Sequence, residues 1–135
     1  MEQNLSHTPL SLLFIEDDSV VCKAMGRMIA LTFTDMTVYT ADNGQSGMEL
    51  FTKHTPGIVI TDINMPDMDG HQVAREIKSK QPGTKIIVIT GYSDEMHLDE
   101  FKKIGFDEYL VKPVDFARLC KSIERCRAGF LPQKE

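Results

Sequence analysis

The chain has 135 residues, of which 41% are hydrophobic and 26% charged, with a formal net charge of -5. That is enough chain for one domain with a real core, at a composition ordinary for globular proteins. The acidic balance argues against a nucleic-acid surface, and no run approaches the roughly 18 apolar residues of a membrane span.

Residues 1–9 read as a flexible lead-in, polar and without the basic and apolar regions of a signal peptide. Leu10 to Ile15 is a short apolar run, consistent with a strand covered on both faces. Three acids follow, Glu16, Asp17 and Asp18. A first helix then carries Val20, Val21, Ala24, Met25, Met28 and Ile29 at helical spacing, with Asp18 or Ser19 as cap. Met36 to Thr40 suggests a second strand. Asp42-Asn43-Gly44 is turn-like, and Met48, Leu50 and Phe51 suggest a second helix despite Gly44 and Gly47.

Ile58 to Ile60 is a buried-looking strand that runs into Asp62. Pro66 ends regular pairing, and Asp69-Gly70 opens a third helix to about Lys80, with Val73, Ala74 and Ile77 as its apolar stripe. Lys85 to Thr90 is a fourth strand, and a fourth helix starts near Ser93 with Asp94 and Glu95 in its first turn. Glu108 to Val111 is a fifth strand, followed by Lys112-Pro113. The last helix covers about Asp115 to Ala128, with Phe116, Leu119, Cys120 and Ile123 facing inward. The domain therefore spans residues 10–128, and residues 129–135 form a tail or the start of a linker. The three cysteines, Cys22, Cys120 and Cys126, have no CxxC spacing and are odd in number. They read as reduced thiols of a cytoplasmic protein.

Strands that alternate with helices predict an α/β fold, a doubly wound five-stranded parallel sheet with helices on both faces. Ligands of such sheets bind beyond the carboxyl ends of the strands. The polar residues that end the strands should therefore converge on one rim: Glu16 and Asp17, Asp62, Thr90 and Lys112. Three carboxylates brought together repel one another unless a cation lies among them. Oxygen ligands without Cys or His point to a hard ion such as Mg²⁺, with Mn²⁺ as a substitute. A carboxylate can also act as a nucleophile toward phosphorus, and the transfer needs its charge neutralised by metal, lysine and hydroxyl. Asp62, on the central strand, is the nucleophile candidate. Each piece taken alone also has a plain reading: acids at a helix N-terminus, a threonine ending a strand, a Lys-Pro turn.

These pieces together resemble the receiver domain of two-component response regulators, of which the chemotaxis regulator is the simplest member. The match runs over Glu16-Asp17, residues 62–70 (Asp-Ile-Asn-Met-Pro-Asp-Met-Asp-Gly), Thr90-Gly91 and Lys112-Pro113. The resemblance implies a flavodoxin-like sheet of order 2-1-3-4-5. It implies that Glu16, Asp17, Asp62 and the backbone carbonyl of Asn64 hold Mg²⁺, and that the Lys112-Pro113 bond is cis. It makes Thr90 and Tyr109 the switch pair, which remodels the fourth helix, fifth strand and fifth helix, and it places Asn64 and Tyr92 beside the path of the water that ends the phosphorylated state. His7, His54, His71 and His97 lie in no kinase-like motif, so the phosphoryl group comes from another protein or a small donor, and the resemblance implies a sensor histidine kinase or a histidine phosphotransfer protein. The output partner is not named by the sequence, and the chain is either a stand-alone regulator or one receiver of a longer protein.

Arg118, Lys121 and Arg125 recur at helical spacing and read first as a solvated basic face; a partner or homodimer surface through the fourth helix, fifth strand and fifth helix is the alternative. Two rival functions remain. An aspartate-nucleophile phosphatase needs a general acid two residues after the nucleophile, where Asn64 stands. A degenerate receiver that only binds partners would normally have lost an acid or the lysine, and here none is missing.

Overall fold

The computed structural model describes residues 10–91, 99 and 102–130. The expectations for residues 1–9, Tyr92, the helix start at Ser93, Asp94 and Glu95, and the tail from 131 fall outside the described residues. The strands are β1 (Ser11–Ile15), β2 (Thr37–Ala41), β3 (Ile58–Asp62), β4 (Lys85–Thr90) and β5 (Glu108–Val111). The helices are α1 (Ser19–Thr32), α2 (Gly44–His54), α3 (Gly70–Lys80) and α5 (Phe116–Ala128), with α4 described at residues 99 and 102–104. All four strand pairings are parallel, in the order β2-β1-β3-β4-β5. The expected doubly wound α/β sheet is therefore the observed one.

Alternate residues of the inner strands feed two cores, one on each side of the sheet. Leu13, Ile15, Val59, Ile86 and Val88 pack with Met48 and Phe51 of α2 and Val73, Ala74 and Ile77 of α3. Leu12, Phe14, Ile58, Ile60, Ile87 and Ile89 pack with Ile29 of α1 and Leu119 and Ile123 of α5. Every residue of β3 is buried, so its sequence shows no alternation. Burying each such Ile, Leu or Phe contributes about 1.5–3 kcal/mol relative to exposure, which fixes the sheet as the rigid base of the rim.

One helix, α1, turns a different face inward from the one read off the sequence, whereas α5 keeps the expected face. In α1 the buried residues are Cys22, Gly26 and Ile29, while Val20, Val21 and Met28 are exposed. The reason is close approach: a Cβ on Gly26 would lie 2.4 Å from Thr40 Cγ2, so α1 rests its smallest residue on β2. In α5 the expected Leu119 and Ile123 are buried, Phe116 and Cys120 pack half-buried against the same core, and Ser122 and Cys126 are buried beside them. Ser122 enters because its hydroxyl donates to Glu108 Oε1 on β5 at 3.3 Å.

Helix starts follow the acids and amides of the sequence. Asp18 accepts the N–H groups of Val20 and Val21, Asn43 accepts that of Ser46, and Asp69 accepts that of Gln72. Each cap lies at the carboxyl end of the sheet, which leaves the strand ends between the helix starts to form the rim.

Candidate functional site

The carboxyl ends of β1, β3 and β5 bring three acids and one lysine together. One carboxylate oxygen each from Glu16, Asp17 and Asp62 lies within 4.8 Å of the others. Lys112, just past β5, reaches over and donates to Asp62 Oδ2 at 2.6 Å, and its Nζ lies 3.8 Å from Glu16 Oε1. The Lys112-Pro113 peptide is cis, as the resemblance implies.

Local geometry explains why charge collects here. Asp62 is the last residue of β3, flanked by the buried strands β1 and β4, and is only 4% exposed. Glu16 is equally buried, and one of its oxygens accepts the N–H of Asp18 at 3.0 Å. Asp17, by contrast, is exposed. Burial raises the Asp62 carboxyl above its ordinary pKa; the Lys112 hydrogen bond and charge pull it back only in part, and Asp17 pushes it further up. Glu16 is also raised, first by burial, with Asp62 adding to the effect and the Asp18 N–H and Lys112 opposing it. Burial disfavours the charge of Lys112, yet its hydrogen bond to Asp62 and the attraction of Asp62, Glu16 and Asp17 outweigh it, so its pKa is raised.

One ammonium against three carboxylates leaves net negative charge in a half-enclosed place. The donor set is all oxygen, with two buried carboxylates and an exposed third one open to solvent. Those residues fit a hard, partly hydrated divalent cation such as Mg²⁺.

Two more of the expected residues, Thr90 at the end of β4 and Asn64 just after β3, stand at the same rim. Thr90 ends β4, is 4% exposed, and its hydroxyl donates to the carbonyl of Gly91 at 2.9 Å. Its own carbonyl accepts the N–H of Lys112 at 2.8 Å, which ties the threonine to the lysine segment. Asn64 is exposed, two residues beyond Asp62. Tyr109 does not face the rim: it is 48% exposed on β5, its ring edge-on to Phe106 at 5.9 Å between centroids. Tyr92 lies outside the described residues.

Three features were not read from the sequence. A cavity of about 520 Å³ opens beside the acids, lined by Phe14, Val21, Met25, Lys112, Val114 and Leu119 among others. Arg125, read as part of a solvated basic face, forms a forked pair with Glu108 through Nε and an Nη nitrogen, both at 2.8 Å. Asp67, exposed and three residues past Asn64, accepts two backbone N–H groups from the start of α2. The sequence signal for Asp67 was only its place in an acid-rich segment after Pro66.

Comparison with known proteins gives these features a family. The model of the response regulator receiver domain matches residues 12–124. The transcriptional regulatory protein GlrR of Escherichia coli (strain K12) is 32% identical over 120 residues, which are 89% of this chain and 27% of that protein. The DNA-binding transcriptional regulator NtrC of the same organism is 30% identical over 122 residues, 90% of this chain and 25% of its own length. The chain thus spans about a quarter of the length of these two relatives. Among solved structures, a response regulator receiver domain protein from Clostridium thermocellum is 31% identical with a TM-score of 0.79, covering 91% of this chain and 99% of that one. The REC domain of AraT, a response regulator from Geobacillus stearothermophilus, is 27% identical with a TM-score of 0.81, over 90% of this chain and 95% of that one.

Proposed function

The chain belongs to the response regulator receiver domain family, and from that premise we propose that Asp62 is its phosphoacceptor. The observation that carries the reading is the convergence of Glu16, Asp17 and Asp62 within 4.8 Å with Lys112 Nζ 2.6 Å from Asp62. The domain of residues 10–128 then acts as a signalling unit.

The donor is a phosphohistidine on a sensor kinase or a phosphotransfer protein. An Asp62 oxygen attacks phosphorus, a P–O bond forms, the P–N bond breaks, and its electron pair returns to the imidazole. Asp62 suits this role because its strand is buried along its whole length and holds the carboxylate in one place. Lys112 supplies positive charge to the phosphoryl oxygens, and the Thr90 hydroxyl leaves Gly91 to donate to another. Glu16, Asp17, Asp62 and the backbone carbonyl of Asn64 would hold Mg²⁺, which when bound neutralises phosphoryl charge. Asn64 and Tyr92 flank the water that later hydrolyses the acyl phosphate and so set its lifetime. Movement of Thr90 brings Tyr109 inward and remodels α4, β5 and α5, the face that meets the output partner or a second copy of the chain.

Incubation with Mg²⁺ and acetyl phosphate, followed by intact mass, tests the reading. A phosphoadduct that is absent in Asp62→Asn supports it. Turnover of many phosphoesters would instead indicate a phosphatase, and no reaction would indicate a degenerate receiver.

A further inference from the structure

The segment between β3 and α3 carries Asn64 and is fixed at its two ends by backbone bonds. The N–H of Ile63 donates to the carbonyl of Ile89 on β4 at 3.0 Å, and the N–H of Gly70 donates to the carbonyl of Ile63 at 2.8 Å. A third anchor lies at its tip and comes from a distant part of the chain. The N–H of Gly44 donates to Asp67 Oδ1 and that of Gln45 to Asp67 Oδ2, both at 3.0 Å. Asn43, the cap of α2, takes the next donor, Ser46, on its side chain, and its carbonyl takes Gly47 at 3.0 Å. The first-turn donors of α2 are therefore shared out between its own cap and Asp67, which supplies what a cap alone leaves undone.

Sterics reinforce the anchor. A Cβ on Gly44 would lie 2.7 Å from Met68 Cβ, so the segment rests directly against the start of the helix. The two N–H bonds also hold the Asp67 carboxyl below its ordinary pKa, so it stays a carboxylate and a full acceptor at neutral pH.

We propose that Asp67 is a positioning residue: by clamping the 63–69 segment to the N-terminus of α2, it sets where Asn64 stands relative to Asp62. The proposal rests on the phosphoacceptor reading and deepens it. Asn64 is one residue from one fixed point, Ile63 held to β4, and three from the other, Asp67 held to α2. With both in place the intervening backbone has little freedom, and the carbonyl proposed for the cation is presented rather than recruited. Without Asp67 the tip is released while β3 and Asp62 stay where the sheet holds them. Asp67 touches neither phosphorus nor cation and acts only through the segment.

The test compares the parent with Asp67→Asn, Asp67→Ala and Gly44→Ala. Mg²⁺ alone is titrated by calorimetry, and the rate of phosphorylation by acetyl phosphate is then read by intact mass. Asp67→Ala is expected to weaken Mg²⁺ binding about tenfold, as loss of an outer partner of a ligand does. Asp67→Asn removes the same charge but keeps one accepting oxygen, and is expected to fall between Asp67→Ala and the parent. Gly44→Ala keeps the carboxylate and favours the helix, yet should also weaken binding, because the new methyl displaces Met68. Variants that lower the unfolding midpoint but bind Mg²⁺ and take phosphate within about twofold of the parent would reduce Asp67 to a helix cap and overturn the proposal. Equal effects of Asn and Ala would assign the loss to charge and overturn it too. A parent that neither binds Mg²⁺ nor takes phosphate would remove the functional reading, and this inference with it.

Discussion

Lys112 Nζ lies 2.6 Å from Asp62 Oδ2, a contact made across 50 residues of chain and across the ends of β3 and β5. It is the positive charge that lets a carboxylate 4% exposed remain where the sheet puts it. Lys112→Met keeps the aliphatic stem and removes the ammonium. Without Mg²⁺ the variant is expected to lose about 1–2 kcal/mol in denaturant unfolding; the lysine side chain is 42% exposed, so the loss falls short of that for a fully buried pair. Phosphorylation by acetyl phosphate should slow about 100-fold, the scale of one lost charge-stabilising donor. A parental rate would show that Lys112 is only a structural counter-ion.

The same cluster makes stability depend on pH and metal together. Asp62 and Glu16 have folded pKa values raised above their ordinary 3.8 and 4.5, chiefly by burial. The folded chain therefore binds these protons more tightly than the unfolded one. The stability this gives is fully present below the ordinary values and is lost as pH rises through the raised ones. Protons and a divalent cation compete for the same oxygens. The increase in melting temperature on adding Mg²⁺ should thus be larger at about pH 8 than at about pH 5, and it should shrink in Asp17→Asn. An equal increase at both pH values in scanning calorimetry would mean that Mg²⁺ binds elsewhere.

How far the sequence showed this site depends on the distance over which each signal acts. The strand ends were legible because an apolar run that stops at Asp62 or Thr90 is a local pattern, and the parallel sheet then brings all such ends to one rim. The stripe of α1 was less legible because apolar residues on a helix do not declare which face meets the sheet. Gly26 decides it for α1 by fitting over Thr40; in α5 the apolar stripe was legible, and Ser122, buried by its pairing with Glu108, was not. Asp67 was opaque for the same reason. Its partners, Gly44 and Gln45, are 23 and 22 residues away, and nothing local marks an aspartate that caps another element's helix.

Glu108 gives a pH effect of opposite sign at the other end of β5. Its hydrogen bond with Arg125, aided by that charge and by Ser122, holds the carboxyl below its ordinary 4.5 against the cost of burial. Its contribution is present above that value and is lost as pH falls through the lowered one. Glu108→Gln should therefore flatten the fall in melting temperature below about pH 4.5, while Glu124→Gln, a nearby exposed acid, should not. Parallel acid limbs for the parent and Glu108→Gln would show that the forked pair adds nothing to the folded state.

Tyr109 offers a direct view of the switch. On β5 it sits in register with Val88 of β4, half-exposed, with its ring edge-on to Phe106. An amphipathic ring of this kind can lie outside or turn inward without leaving an apolar face in water in both states. Thr90, one strand over, is tied through its carbonyl to the N–H of Lys112, so a shift of the threonine toward a phosphoryl group pulls on the same strand end. Adding Mg²⁺ and beryllofluoride, a phosphoryl mimic, should bury Tyr109. Nitration of that tyrosine, mapped by peptide mass, should slow several-fold, about the change expected when a half-exposed ring becomes mostly enclosed. The same additions should leave its reactivity unchanged in Asp62→Asn, which lacks the acceptor. Undiminished nitration in the parent, with the ring still edge-on to Phe106 in a mimic-bound structure, would remove Tyr109 from the switch and leave it as a half-buried strand aromatic.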